Sequence, residues 1–208
     1  MKRNIVLAIT GASGVTYGLR LAEELLGSGV RLTILISAAG FQVLREETGL
    51  DWRGEPSCVR QQMTDYFSAA CGCASLSPVY FAEDDLLAPV ASGSNAPDAM
   101  VVCPCTMGTL SRIACGNSAT LLERCADVMV KERRPLVLVP RETPLSEIHL
   151  ENMLKLARLG VRIVPAMPAF YQKPETVGDM VNFVVGKALD TLGIEHRLYR
   201  RWEGGSGS

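Results

Sequence analysis

Apolar positions fall in short continuous runs at residues 5–9, 32–36, 100–102, 136–139 and 161–164, with helical patterns between them. Runs that do not alternate apolar with polar predict strands covered on both faces, as in a parallel sheet. Between the first two runs, Leu19, Ala22, Leu25 and Leu26 share one face of a helix that Gly27 and Gly29 close. Further helices are predicted over residues 120–132, 146–158 and 176–192, with Ser146 and Thr176 as starting caps. Another opens at Thr106 to Thr109 and runs toward Cys115 and Gly116. Alternation of strand and helix predicts an α/β fold, a doubly wound and mainly parallel sheet. Residues 49–90 break the rhythm with scattered aromatics and cysteines, and no element is assigned there.

A chain of 208 residues, 48% hydrophobic, can bury one sizeable core. A single domain is expected over residues 1–202, followed by a flexible Gly/Ser tail at 203–208. With 21 basic and 22 acidic side chains the net charge is -1, which excludes a global field for nucleic acid or an anionic membrane. A charged ligand has to be met locally. No run approaches the roughly 20 apolar residues of a membrane span. "MKRNIVLAIT" passes into Gly-Ala-Ser-Gly too soon for a secretion signal, so a cytoplasmic location is expected. The seven cysteines include Cys71-Gly-Cys73 and Cys103-Pro-Cys105, which lack metal-site spacing, and His149 and His196 stand far from both pairs. No metal is expected; the thiols read as buried and reduced.

In an open parallel sheet the strand carboxyl ends line one edge, where ligands bind. That edge would gather Gly11-Ala12-Ser13-Gly14, Ser37, Thr106 to Thr109, Arg141 with Glu142, and the segment 165–171. The Gly-Ala-Ser-Gly turn offers helix amides to a phosphate, with the Ser13 hydroxyl as a further donor. Taken alone, the motif is equally a plain strand-to-helix turn. The third glycine of GxGxxG is missing, and Ser37 stands where a ribose-binding acid is expected, so a mononucleotide fits better than a dinucleotide. Thr106 to Thr109 supply a second set of amides, with simple N-capping by Thr106 as the alternative. Arg141 is placed to fork onto a phosphate or a flavin carbonyl, or else to pair with Glu142.

Four stretches carry a family likeness: "TGASGVTYGLRLAEEL", "ASGSNAPDAMVVCPCTMGTLSRIA", "LLERCADVMVKERRPLVLVPRETPLSEIHLENMLKL" and "PAMPAFYQKPETVGDMVNFVVGKALDTLGI". They resemble the flavin prenyltransferases of the UbiX type, over nearly the whole chain except the middle segment and tail. The resemblance implies a flavodoxin- or Rossmann-like flavoprotein domain. It implies a metal-independent transfer of a dimethylallyl group from dimethylallyl phosphate to N5 and C6 of reduced FMN. The product, prenylated FMN, would serve a UbiD-type decarboxylase, and the enzyme would be a homododecamer. By the same resemblance, Gly11, Ala12, Ser13, Ser37, Thr106, Met107, Gly108, Thr109 and Arg141 correspond to FMN contacts, and Tyr171 and Lys187 to prenyl-phosphate contacts. Glu47, Arg124, Lys131 and Glu142 match charged positions around that phosphate, beside Ser92 and Ser94. Ser13, Glu47, Lys131 and Glu142 are the implied catalytic residues. Two departures stand out: Leu86 where some relatives carry Trp, and Lys187 where some carry Arg.

Two other readings compete. An FMN-dependent decarboxylase of a cysteine-containing substrate needs a histidine near the flavin, yet neither His149 nor His196 follows a strand end. A flavin carrier without chemistry would bind FMN and turn nothing over.

Overall fold

Six parallel strands form one sheet in the order β3-β2-β1-β4-β5-β6 in the computed structural model, which describes residues 2–72 and 77–201. They are β1 (Asn4–Ile9), β2 (Arg31–Ile36), β3 (Val79–Tyr80), β4 (Ala99–Cys105), β5 (Leu136–Pro140) and β6 (Arg162–Ile163). Cys73, Trp202 and the expected tail at 203–208 lie outside the described residues. Strand order reverses between β1 and β4, so the fold is doubly wound in the Rossmann order, with a switch point at the β1/β4 carboxyl ends. No helix among the described residues is long and apolar enough to cross a membrane.

The pleat of β1 divides the core. Ile5, Leu7 and Ile9 face one layer, with α1 (Val15–Gly27), α3 (Pro56–Cys71) and α7 (Val177–Leu192). Val6 and Ala8 face the other, with α4 (Met107–Ala114) and α5 (Leu121–Lys131). Alternate β1 side chains therefore enter different layers, and both layers are apolar because helices cover both faces. The remaining helices are α2 (Ala38–Thr48) and α6 (Glu147–Arg158).

The unassigned middle stretch supplies α3 and β3. Val59, Met63 and Phe67 recur every fourth residue and are buried, with the Phe67 ring 6.2 Å from Trp52. Phe67 is fully enclosed, so Phe67→Ala is expected to cost about 3–5 kcal/mol in a urea melt. A loss below about 1 kcal/mol would mean that α3 is not part of the cooperative core.

The cysteines correct part of the sequence expectation. Cys103, Cys105 and Cys125 are buried free thiols, and burial pushes Cys105 and Cys125 up to about 12. Cys58 and Cys115 are exposed instead, lying on or beside helix faces turned to solvent.

Candidate active site

The carboxyl edge is tied together first by backbone and threonine. The buried Thr10 hydroxyl donates to the Pro104 carbonyl at 2.8 Å and accepts the Thr106 amide at 2.9 Å, joining the ends of β1 and β4. The Ser37 amide donates to the Ile9 carbonyl at 3.0 Å, joining β1 to the end of β2. The intervening turn sits hard against α2: a Cβ on Gly11 would lie 2.5 Å from the Cβ of Ala39.

Gly14 caps α1 with φ at 98°, a backbone that only glycine adopts cheaply, and has no side chain to satisfy the helix amides. Glu47, in the last turn of α2, supplies the acceptor. Its carboxylate takes the Gly14 amide at 2.9 Å and the Val15 amide at 3.0 Å. The sequence reading offered these amides to a phosphate. A second anion there would meet a carboxylate already in place.

The start of α4 is more open. Thr106 caps the helix by accepting the Thr109 amide at 3.0 Å, as the plain alternative held. No protein acceptor is found among the described residues for the amides of Met107 and Gly108. Ser37 likewise caps α2, accepting the Gly40 amide at 3.0 Å.

Arg141 leaves the end of β5 and reaches the turn after β1, where its Nε donates to the Ser13 carbonyl at 3.1 Å. In doing so it spans β4, which lies between the two strands. Its terminal nitrogens have no hydrogen-bond or ion-pair partner among the described residues. Tyr17 lies beside it; burial pushes the Tyr17 phenol up, and the Arg141 charge opposes that shift. Glu142 does not pair with Arg141. It is exposed and accepts the Thr143 amide at 3.1 Å. Both charges border a cavity of about 290 Å³, whose walls include Pro140, Met153, Pro165 and Met167.

Tyr171 and Lys187 meet elsewhere on the chain. The Tyr171 ring packs edge-on to Phe183 at 5.9 Å, and Lys187 Nζ stands 5.4 Å from the Phe183 centroid and 5.3 Å from that of Tyr199. Tyr199 is fixed in turn by donating to Asp190 at 2.5 Å.

Ser92, Ser94, Arg124 and Lys131 form another group. The two serine hydroxyls are 2.9 Å apart, and Arg124 Nε donates to the Ala91 carbonyl at 3.2 Å. Lys131 pairs with Glu132 at 3.2 Å, and both side chains lie where a Cβ on Gly93 would fall. Among the described residues, no hydrogen bond or ion pair joins this group to Ser13, Glu47, Thr106 or Arg141.

Sequence reasoning missed Arg112 and Glu123, which brace the start of α4. Arg112 donates to the Thr109 hydroxyl at 3.2 Å and is hydrogen-bonded to Glu123, a carboxylate only 2% exposed. Glu123 also accepts the amides of Ala119 and Thr120 at 3.0 and 3.2 Å. The signal was present: Thr-Leu-Leu-Glu at 120–123 has the spacing of a capping box. Arg112→Ala leaves Glu123 buried without its cation and is expected to lower stability by about 1–3 kcal/mol. Chemical denaturation measures this, and an unchanged midpoint would make the pair ornamental to the fold.

The histidines take structural positions. His149 accepts the Ser146 amide at 3.3 Å in the cap of α6, and His196 lies 3.2 Å from Asp190. Among the described residues, no three His, Cys, Asp or Glu side chains gather as metal ligands would.

The Flavoprotein family model matches residues 1–189. Flavin prenyltransferase UbiX of Halalkalibacterium halodurans is 52% identical over 196 residues, covering 94% of this chain and 91% of the relative. The crystal structure of AnUbiX in complex with FMN and dimethylallyl pyrophosphate superposes with a TM-score of 0.85 at 39% identity, covering 99% of this chain and all of that one. A dodecameric FMN-dependent UbiX-like decarboxylase from Escherichia coli O157:H7 gives 0.84 at 40% identity, covering 97% of this chain and all of that one. The chain thus belongs to the UbiX flavin prenyltransferases, within the wider Flavoprotein family.

Proposed function

We propose that this protein transfers the dimethylallyl group of dimethylallyl phosphate to N5 and C6 of reduced FMN, and supplies prenylated FMN to a UbiD-type decarboxylase in the cytoplasm. The observation that carries the reading is Arg141. Its guanidinium bridges two strand ends across the switch point and, among the described residues, leaves its terminal donors without a partner, a fork suited to a flavin nucleotide. FMN fits the other groups at that edge as well, since the Met107 and Gly108 amides at the start of α4 are open to an anion. The AnUbiX crystal structure, which holds FMN and a prenyl pyrophosphate, supports the same assignment.

Reduced FMN, when bound, supplies the nucleophilic ring atoms; the chain supplies position, charge and proton transfer. Gly11, Ala12, Ser13 and Ser37 shape the edge beside β1, and Arg141 with Thr106 to Thr109 holds the nucleotide. Arg124, Lys131, Tyr171 and Lys187 hold the prenyl phosphate, with Ser92 and Ser94 beside it. Positive charge there lowers the barrier to breaking an allylic carbon–oxygen bond, because negative charge grows on the departing phosphate. Glu142 is free of Arg141 and placed to take or return a proton at the phosphate oxygen. Glu47 keeps the Ser13-Gly14 turn in shape, and the Ser13 hydroxyl would hold or pass a proton beside a bound flavin.

Lys131 stands before β5 and Arg141 after it, so one chain does not complete the site. A homododecamer with shared sites resolves this. Apolar side chains open to solvent favour such assembly: Leu87 is 96% exposed and Ile148 67%. The decarboxylase reading loses its base, because both histidines are held in structural roles.

An anaerobic incubation with reduced FMN and dimethylallyl phosphate, followed by mass spectrometry of the extracted flavin, tests the reading. The expected product carries one added five-carbon unit. Repeated return of unmodified FMN would leave only a flavin carrier.

A further inference from the structure

At the opposite edge of the sheet, where β5 and β6 begin, a cavity of about 510 Å³ lies between the ends of α5 and α6. Arg133, Arg134, Arg158 and Arg162 line it. Arg162 donates to the Thr191 carbonyl at 2.6 Å, and none of the four pairs with an acid among the described residues. The neighbouring acid, Glu132, is taken by Lys131 at 3.2 Å.

Helix dipoles account for only part of this charge. Each helix C-terminus carries about half a negative charge, so two ends call for about one cation. Four are present.

The two helix ends also provide an internal comparison. After α6, Gly160 takes φ at 86°, and the Gly160 and Val161 amides donate to the Ala157 and Leu156 carbonyls. After α5 the same turn recurs, with the Arg133 and Arg134 amides donating to the Val130 and Met129 carbonyls, but Arg133 holds φ at 52°. Glycine enters that left-handed backbone freely and arginine does not. The turn itself therefore gives no reason for arginine; the side chain does.

We propose that this cavity is an oligophosphate-binding site, separate from the flavin edge. Planar guanidinium forks match phosphate oxygens two at a time, and four forks suit two linked phosphoryl groups better than one. The volume falls within the range of small-molecule sites.

Calorimetric titration with inorganic pyrophosphate tests this on the full chain, with oxidised FMN and dimethylallyl phosphate in excess to fill the opposite edge. Saturable binding is expected. Arg133→Gly suits the turn, so it should fold at least as well as the parent while losing about ten-fold or more in pyrophosphate affinity. Adding Arg158→Ala should abolish binding, while prenylation turnover at saturating substrate stays at the parent rate. ADP that displaces pyrophosphate from the parent would identify a nucleotide-borne diphosphate; no displacement would identify the free form. Absence of saturable binding, or equal affinity in parent and double variant, overturns the proposal. So does a double variant that loses its oligomeric state but keeps pyrophosphate, which would make this face a contact between copies.

Discussion

Glu142→Gln is expected to cut prenylation turnover about 100- to 10,000-fold while FMN binding survives. The substitution preserves shape and removes only the group that exchanges a proton. Arg141 reaches the Ser13 carbonyl without help from Glu142, whose carboxylate accepts the Thr143 amide. Flavin fluorescence titration should therefore give a near-parental dissociation constant, and kcat at saturating FMN and prenyl phosphate should carry the loss. Arg141→Ala should behave in the opposite way and weaken FMN affinity first. Parental turnover in Glu142→Gln would reduce Glu142 to a turn residue.

Two variants, each inactive at an FMN concentration well below the dissociation constant of Arg141→Ala, should repair one another. Lys131→Ala lacks a cation for the prenyl phosphate, and Arg141→Ala lacks the flavin fork. Strand β5 spans Leu136–Pro140 between them, and each residue advances it about 3.3 Å. When the two residues of one site come from different chains, random co-assembly rebuilds roughly a quarter of the sites with both intact. Co-expressed, the variants should regain activity that neither shows alone. Failure of every mixture, or a fully active monomer in sedimentation, would place both residues in a single-chain site.

The long buried strands were legible because helices on both faces leave them continuously apolar. Residues 5–9 and 136–139 fall inside β1 and β5 for that reason. The read strand at 100–102 is the middle of a longer one, Ala99–Cys105, whose end carries Pro104 and a break in register with β5. Proline at that point argues against strand in a sequence and is tolerated here where pairing is irregular. Strand β3 has two half-buried residues, and α2 buries only Gly40 and Leu44, so neither imposes a hydrophobic period.

Within the site, local signals were readable and distant ones were not. Thr106 and Ser37 sit just before their helices and cap them as their side chains allow. Nothing near Gly14 announces that Glu47 will take its amide, because that contact joins two helices through the fold. Arg141 and Glu142 are adjacent in sequence, which favours pairing on paper, yet the structure turns them to different partners.

The carboxylate on the Gly14 and Val15 amides has a consequence for how the flavin edge behaves when empty. With its helix end already satisfied from within, the Ser13-Gly14 turn does not wait for a ligand to acquire its shape. Little backbone order then has to be gained on association, and the two amides should exchange slowly with deuterium even in the apoprotein. Glu47 acts as a stand-in anion that travels with α2, so the flavin meets a seat already set.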